Sequence, residues 1–75
     1  MPGENAFKVE GVVIEVMLNR TCWVKLANGH KVRGYATGKA KEKVAGLAIG
    51  DRVRLQLSPY DLSEGRLLLE TWPPP

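Results

Sequence analysis

The chain has 75 residues, a net charge of +3 and one cysteine, which bounds it to one small domain with a simple core, since chains near this size bury only about 60% of their unfolded surface. The lone Cys22 excludes an internal disulfide framework, and with one histidine there are too few soft ligands for a zinc centre. No apolar run approaches the roughly 20 residues that span a bilayer, and Met1-Pro2-Gly3-Glu4-Asn5 lacks the regions of a signal peptide. The expectation is a cytoplasmic monomer without a cofactor and without a membrane partner.

Residues 1–6 form a polar lead-in expected to be mobile. From Phe7 to Met17 the run is rich in Val and Ile on both parities, Val9, Val13 and Met17 on one and Val12, Ile14 and Val16 on the other. A flat half-exposed strand does not read this way. A long bent strand that buries different faces along its length does, and Gly11 is the natural bend or bulge point. Leu18-Asn19-Arg20 then turns the chain into two alternating runs, Thr21–Leu26 and His30–Tyr35, around Ala27-Asn28-Gly29.

The loop length of this hairpin follows from its pattern. A two-residue Asn28-Gly29 turn would set Leu26 against Lys31 and Val24 against Arg33, mixing apolar and charged side chains on one face. A three-residue loop with Gly29 in the left-handed position sets Val24 against Val32 and Trp23 against Arg33. One face then holds Cys22, Val24, Leu26 and Val32, and the other Trp23, Lys25, Lys31, Arg33 and Tyr35. Basic and aromatic residues on one exposed face suit phosphate and base.

After Tyr35 the period changes. Ala40, Val44 and Leu47 or Ala48 recur at helical spacing, Thr37 or Gly38 can cap the start, and Gly46 marks the end of a short, weak helix. Gly50-Asp51 leads into Arg52–Leu57, where Val53, Leu55 and Leu57 alternate with Arg52, Arg54 and Gln56. Two turns are expected, at Ser58-Pro59-Tyr60-Asp61 and at Ser63-Glu64-Gly65, before a fifth strand over Arg66–Thr71 and an extended Trp72-Pro73-Pro74-Pro75 tail. Three strands, a short helix and two strands, with a long bent first strand, is the order of the OB-fold, a five-stranded Greek-key barrel. The barrel is expected over 7–71. A five-stranded SH3-like barrel is the competitor, but it does not usually carry a helix between its third and fourth strands.

Charge is unevenly distributed. Residues 20–54 carry nine basic and two acidic side chains, a balance of +7, against −4 for the remainder, which has two basic and six acidic ones. That is either a solvated polar face or a binding surface for an anion.

Leu26-Ala27-Asn28-Gly29-His30, Thr37-Gly38-Lys39, Gly50-Asp51-Arg52-Val53 and above all Ser58-Pro59-Tyr60-Asp61-Leu62-Ser63-Glu64-Gly65-Arg66 resemble bacterial translation initiation factor one, colinearly from about Phe7 to Leu69. The Ser58–Arg66 stretch is specific, whereas Asn-Gly and Gly-Asp alone are weak. The resemblance implies a single OB-fold, not an enzyme, that binds the small ribosomal subunit at the decoding site, touching ribosomal RNA and a ribosomal protein beside the other two initiation factors. Where the family usually continues with Met-Arg-Lys and a later arginine, this chain has Ala40, Lys41, Glu42 and, at the later position, Gly46. The usual basic C-terminus is replaced by Glu70-Thr71-Trp72-Pro73-Pro74-Pro75. These departures bear on the strength of ribosome binding, not on the fold, and are compatible with a divergent second copy of the factor.

The candidate RNA-binding residues are Trp23, Lys25, Lys31, Arg33, Tyr35, Gly38, Lys39, Lys41, Lys43 and Arg66. Trp23 either stacks on a base or on Arg33, or simply covers its own sheet. Lys25 opposite Lys31 is mildly unfavourable for folding, which an anion partner would relieve, although two lysines can also splay apart. Gly38 and Lys39 at the helix start can hold a phosphate through backbone N–H groups and charge. Cys22 reads as a core residue, His30 as a turn residue contacting the bulge, and Asp61 as a hydrogen-bond acceptor within its own turn; Tyr60 either packs over that turn, the reading preferred, or presents its ring to RNA. No carboxylate pair, metal set or activated nucleophile can be assembled, so catalysis is not expected. The alternative function, a single-strand RNA chaperone of the cold-shock type, would call for a denser aromatic platform.

Overall fold

The computed structural model describes residues 7–69. The lead-in expected over 1–6 and the tail expected over 72–75 lie outside the described residues. The elements are β1 (Phe7–Val16), β2 (Thr21–Leu26), β3 (Lys31–Tyr35), a 3-10 helix (Gly38–Gly46), β4 (Arg52–Ser58) and β5 (Asp61–Leu67). The strands close into a barrel in the order β1-β2-β3-β5-β4. Five strands with a helix between the third and fourth form the expected OB-fold.

Closure depends on β1 serving two partners. Its first half pairs with β4, from Phe7 opposite Leu57 to Val12 opposite Arg52, and its second half with β2, from Gly11 opposite Leu26 to Val16 opposite Cys22. At the overlap stands Gly11, buried, where a Cβ would overlap the Val24 side chain and lie 2.9 Å from the Lys25 carbonyl oxygen. Only glycine lets the strands approach so closely. The bulge itself comes later: pairing passes from Val13 opposite Val24 to Glu15 opposite Trp23, leaving Ile14 as the extra residue. This explains the two parities, since Val9 and Val13 face the core before the bulge and Val16 packs against it after.

The β2–β3 hairpin has the expected register, with Val24 opposite Val32 and Trp23 opposite Arg33. Its loop is Ala27-Asn28-Gly29, closed by Leu26 N–H donating to the His30 carbonyl at 2.8 Å and Gly29 N–H to the Leu26 carbonyl at 2.9 Å. Gly29 has φ +86°, and the His30 N–H donates to Asn28 Oδ1 at 2.9 Å. In the β1–β2 turn Arg20 also takes a positive φ of 63°. Nothing in the sequence pattern marked it.

The interior is filled by Val13, Cys22, Val24, Val32, Val53, Leu55, Leu57, Leu67 and Leu69, with Val44 and Leu47 contributed from the helix and just beyond it. Val44 and Leu47 are three residues apart, so a 3-10 turn places them on one line against the barrel. The helix ends at Gly46 as expected. Thr37 stands at the N-cap, as expected, with the extended backbone usual there, but it makes no side-chain capping bond, and Gly38 after it has φ +60°.

The last strand requires a correction. β5 begins at Asp61, five residues before the expected Arg66, because Ser63-Glu64-Gly65 is not a turn. Leu57 pairs with Gly65 while Ser58 pairs with Asp61, so Leu62-Ser63-Glu64 bulges away from β4. Arg33, Gly34 and Tyr35 of β3 meet Glu64, Gly65 and Arg66 in a short parallel ladder. Gly65 is there because a Cβ would sit 2.5 Å from Leu57 Cδ2, not because a turn demands it. Past β5, Leu68 N–H still donates to the Arg54 carbonyl at 2.9 Å; Glu70 and Thr71 lie outside the described residues.

Gly29→Val should destabilise the barrel by roughly 1 kcal/mol or more, since a β-branched residue is strained at that φ, and an unchanged melting temperature would contradict the bulged loop. Burial of Cys22 pushes its thiol up to about 11. The stability contributed by the buried neutral thiol is therefore complete below its unfolded pKa of about 8.5 and is lost as pH rises through about 11. At pH 8 the native protein should react with a chromogenic disulfide only as fast as it opens, and the unfolded protein at once; equal rates would contradict the burial of Cys22.

Candidate nucleic-acid interface

Alternation in β2 and β3 sends Trp23, Lys25, Lys31, Arg33 and Tyr35 to the outer face, because their neighbours Cys22, Val24 and Val32 are wholly buried. Trp23 is half-buried, opposite Glu15 on β1 and Arg33 on β3. Lys25 and Lys31 are exposed and directly opposite one another, and neither side chain has an ion-pair partner among the described residues. Tyr35 is 37% exposed and stands opposite Thr21 on one side and Arg66 on the other.

Other candidate cations are engaged within the fold. The Arg33 guanidinium donates to Glu64 Oε2 across the parallel seam, forming an ion pair. Arg66 donates to Gln56 Oε1 at 3.2 Å, and Lys43 Nζ donates to the Leu69 carbonyl at 2.8 Å, tying the helix to the end of the described chain. Lys41 is exposed on the helix, which has no acidic residue in its first turn. Gly38 is exposed there, and Lys39 follows it in the same helix. The structure thus brings Trp23, Lys25, Lys31, Arg33 and Tyr35 onto one sheet face, extended through Arg66, and places Gly38, Lys39 and Lys41 on the helix after β3.

Two loop residues depart from expectation. His30 does more than contact its bulge: its Nε2–H donates to the Leu62 carbonyl at 2.9 Å, joining the hairpin tip to the β5 bulge. Tyr60 is 82% exposed at the β4–β5 tip, its N–H donating to Ser58 Oγ at 3.1 Å, so most of its surface is open to solvent. A tyrosine after Pro59 in a two-residue connection was the signal for an outward ring. Asp61 behaves as expected, accepting the Ser63 hydroxyl at 2.6 Å and the Ser63 N–H at 3.0 Å, which holds its carboxyl below the usual range.

Outward arginines that pair with carboxylates weaken the basic face relative to its charge count. Arg54, for example, lies 3.6 Å from Glu10 across β4 and β1. What remains is an open lysine pair beside a half-buried tryptophan and a partly exposed tyrosine, an arrangement suited to a phosphate backbone with flanking bases. Among the described residues no group of acidic, histidine or cysteine side chains could hold a metal ion, and no helix is long and apolar enough to cross a membrane.

No family model matches the chain. Among solved structures it is similar to the solution structure of translation initiation factor one from the Wolbachia endosymbiont (strain TRS) of Brugia malayi, with a TM-score of 0.67 and 33% sequence identity. The match covers 85% of this chain and 76% of that one. Identity at this level along most of both chains, on the same five-stranded barrel with its helix between β3 and β4, shows that the chain belongs to the family of bacterial translation initiation factor one.

Proposed function

We propose that this initiation factor acts in the cytoplasm as a non-enzymatic monomer that binds the small ribosomal subunit at the decoding site through ribosomal RNA and a ribosomal protein, assisting the other two initiation factors. The observation that carries the RNA reading is the Lys25–Lys31 pair: two exposed like charges directly opposite on the outer hairpin face, with no carboxylate to balance them among the described residues. A polyanion laid along the hairpin would offset that repulsion. Trp23 and then Tyr35 follow the pair along the same face, away from the hairpin tip, and Gly38, Lys39 and Lys41 on the helix would extend the contact along the backbone of the same strand. Arg33, Lys43 and Arg66 contribute by holding the surface in shape as well as by charge, since each already has a partner within the fold.

The salt dependence of binding tests this assignment. Replacing Lys25, Lys31 and Lys41 together by Ala should lower the magnitude of the slope of log K against log salt by about 2, each single-strand phosphate contact being worth about 0.7. All three are exposed, so the melting temperature should scarcely move. An unaltered slope would move the site away from this face.

The departures from the family give a second test. Gly46 stands where an arginine is usual, and its backbone is not in the left-handed region, so that it does not end the helix by a positive φ. A Cβ there would meet nothing within 4 Å. Gly46→Arg should therefore fold normally and tighten small-subunit association by up to about tenfold, one charge-assisted contact being worth about 1.5 kcal/mol or more. Free oligonucleotide binding should change little. Lower stability with no tighter subunit binding would reject the view that this chain makes a weakened form of the family's contact.

A further inference from the structure

The outer face of β1 carries a second surface. Val12 stands opposite Lys25 of β2 on one side and Arg52 of β4 on the other. Neighbouring strands are about 4.8 Å apart, so the Lys25 and Arg52 backbones are about 10 Å apart with an apolar side chain between them. Val12 is 38% exposed, and with Ile14, Leu26 and Ala27 it lines an open groove of about 350 Å³ bordered by Lys25 and Arg52. Neither cation has an ion-pair partner among the described residues. The carboxylate at the groove edge, Glu10, is opposed by Arg54 at 3.6 Å.

No aromatic side chain lines this groove, so it offers no stacking platform for a base. An aliphatic floor between two unpaired cations complements an apolar side chain bracketed by carboxylates. We infer that the β1–β2–β4 groove docks an extended acidic peptide segment of a partner protein, of the pattern acid-x-apolar-x-acid. In an extended chain alternate residues share a face, and four residues span about 13 Å, a distance the long Lys25 and Arg52 side chains can meet. The apolar residue seats on Val12 and Ile14, with Leu26 at the inner edge of the groove, and one carboxylate reaches each cation. This surface lies on the β1 side of β2, next to the β2–β3 face proposed for RNA, and shares only Lys25 with it.

The test is an NMR titration of isotopically labelled protein with the blocked peptide Gly-Asp-Ser-Ile-Ser-Asp-Gly. Saturable shifts are expected at the amides of Val12, Ile14, Leu26 and Arg52, with Tyr35 and Arg66 unmoved. Arg52→Glu should weaken binding about fivefold, the upper range for one exposed ion pair, and should favour the matching peptide with Lys in place of Asp. Val12→Asp, at an exposed position, should abolish binding of the acidic peptide, and melting temperatures check that both variants fold. No saturable shift, shifts centred on Tyr35 and Arg66, or an oligouridylate that moves Val12, Ile14 and Arg52 when the peptide does not, would each overturn the inference.

Discussion

The barrel exists because β3 and β5 can come together, and they can because both are glycine at the point of closest approach. Gly34 stands opposite Gly65 in the parallel ladder. A Cβ on Gly34 would sit 2.9 Å from Leu67 Cδ2, and one on Gly65 would sit 2.5 Å from Leu57 Cδ2. The missing side chains leave that space to Leu55, Leu57 and Leu67, which form much of the interior. Without this seam β3 and β5 would both be open edges, and an open sheet of this size would leave its apolar face in water. The Arg33–Glu64 pair and the His30–Leu62 hydrogen bond lie on the outside of the same junction and hold the hairpin against β5.

That junction also shapes the electrostatics. The chain places its positive charge in 20–54 and its negative charge elsewhere, but folding brings the two together, since Glu10 and Glu64 come from the acidic remainder and meet Arg54 and Arg33. Arg33 and Arg54 are thereby partly committed to the barrel, while Lys25 and Lys31 face each other unbalanced. Lysine on a long flexible stem suits a phosphate backbone as a point charge, whereas arginine paired in its own sheet is already oriented. The division is consistent with lysines carrying the outward contact and arginines fixing the surface that presents them.

Local alternation made the hairpin and β4 legible. Val24 and Val32, or Val53, Leu55 and Leu57, have one face that can be buried, and a register error would put charge in the core. β5 was misplaced because its signal is non-local: Ser63-Glu64-Gly65 has the composition of a turn, and only its pairing with Arg33 and Gly34, some thirty residues earlier, makes it strand. Gly34 was hidden in the same way. The basic-aromatic face could be read from parity alone, but the partners that engage Arg33, Arg66 and Lys43 could not, since each lies on a different element or beyond it. Arg20 with its positive φ shows the limit for turns, where a residue type rare in that conformation is held by the strands on either side.

Membership of the family of initiation factor one and an open lysine pair on the outer hairpin face both support the proposal that this small closed barrel presents a rigid cationic surface to folded RNA. Folded RNA on a subunit and a free single strand differ in shape but not in phosphate chemistry, so the decisive comparison is between them. Labelled protein should be sedimented with isolated small subunits, with and without the other two initiation factors, alongside a free oligonucleotide of the same phosphate concentration. The account predicts saturable, one-to-one co-sedimentation with the subunit that the other factors strengthen, and far weaker binding to the oligonucleotide. Equal affinity for both, with no saturation on the subunit, would contradict it and favour a general single-strand RNA binder.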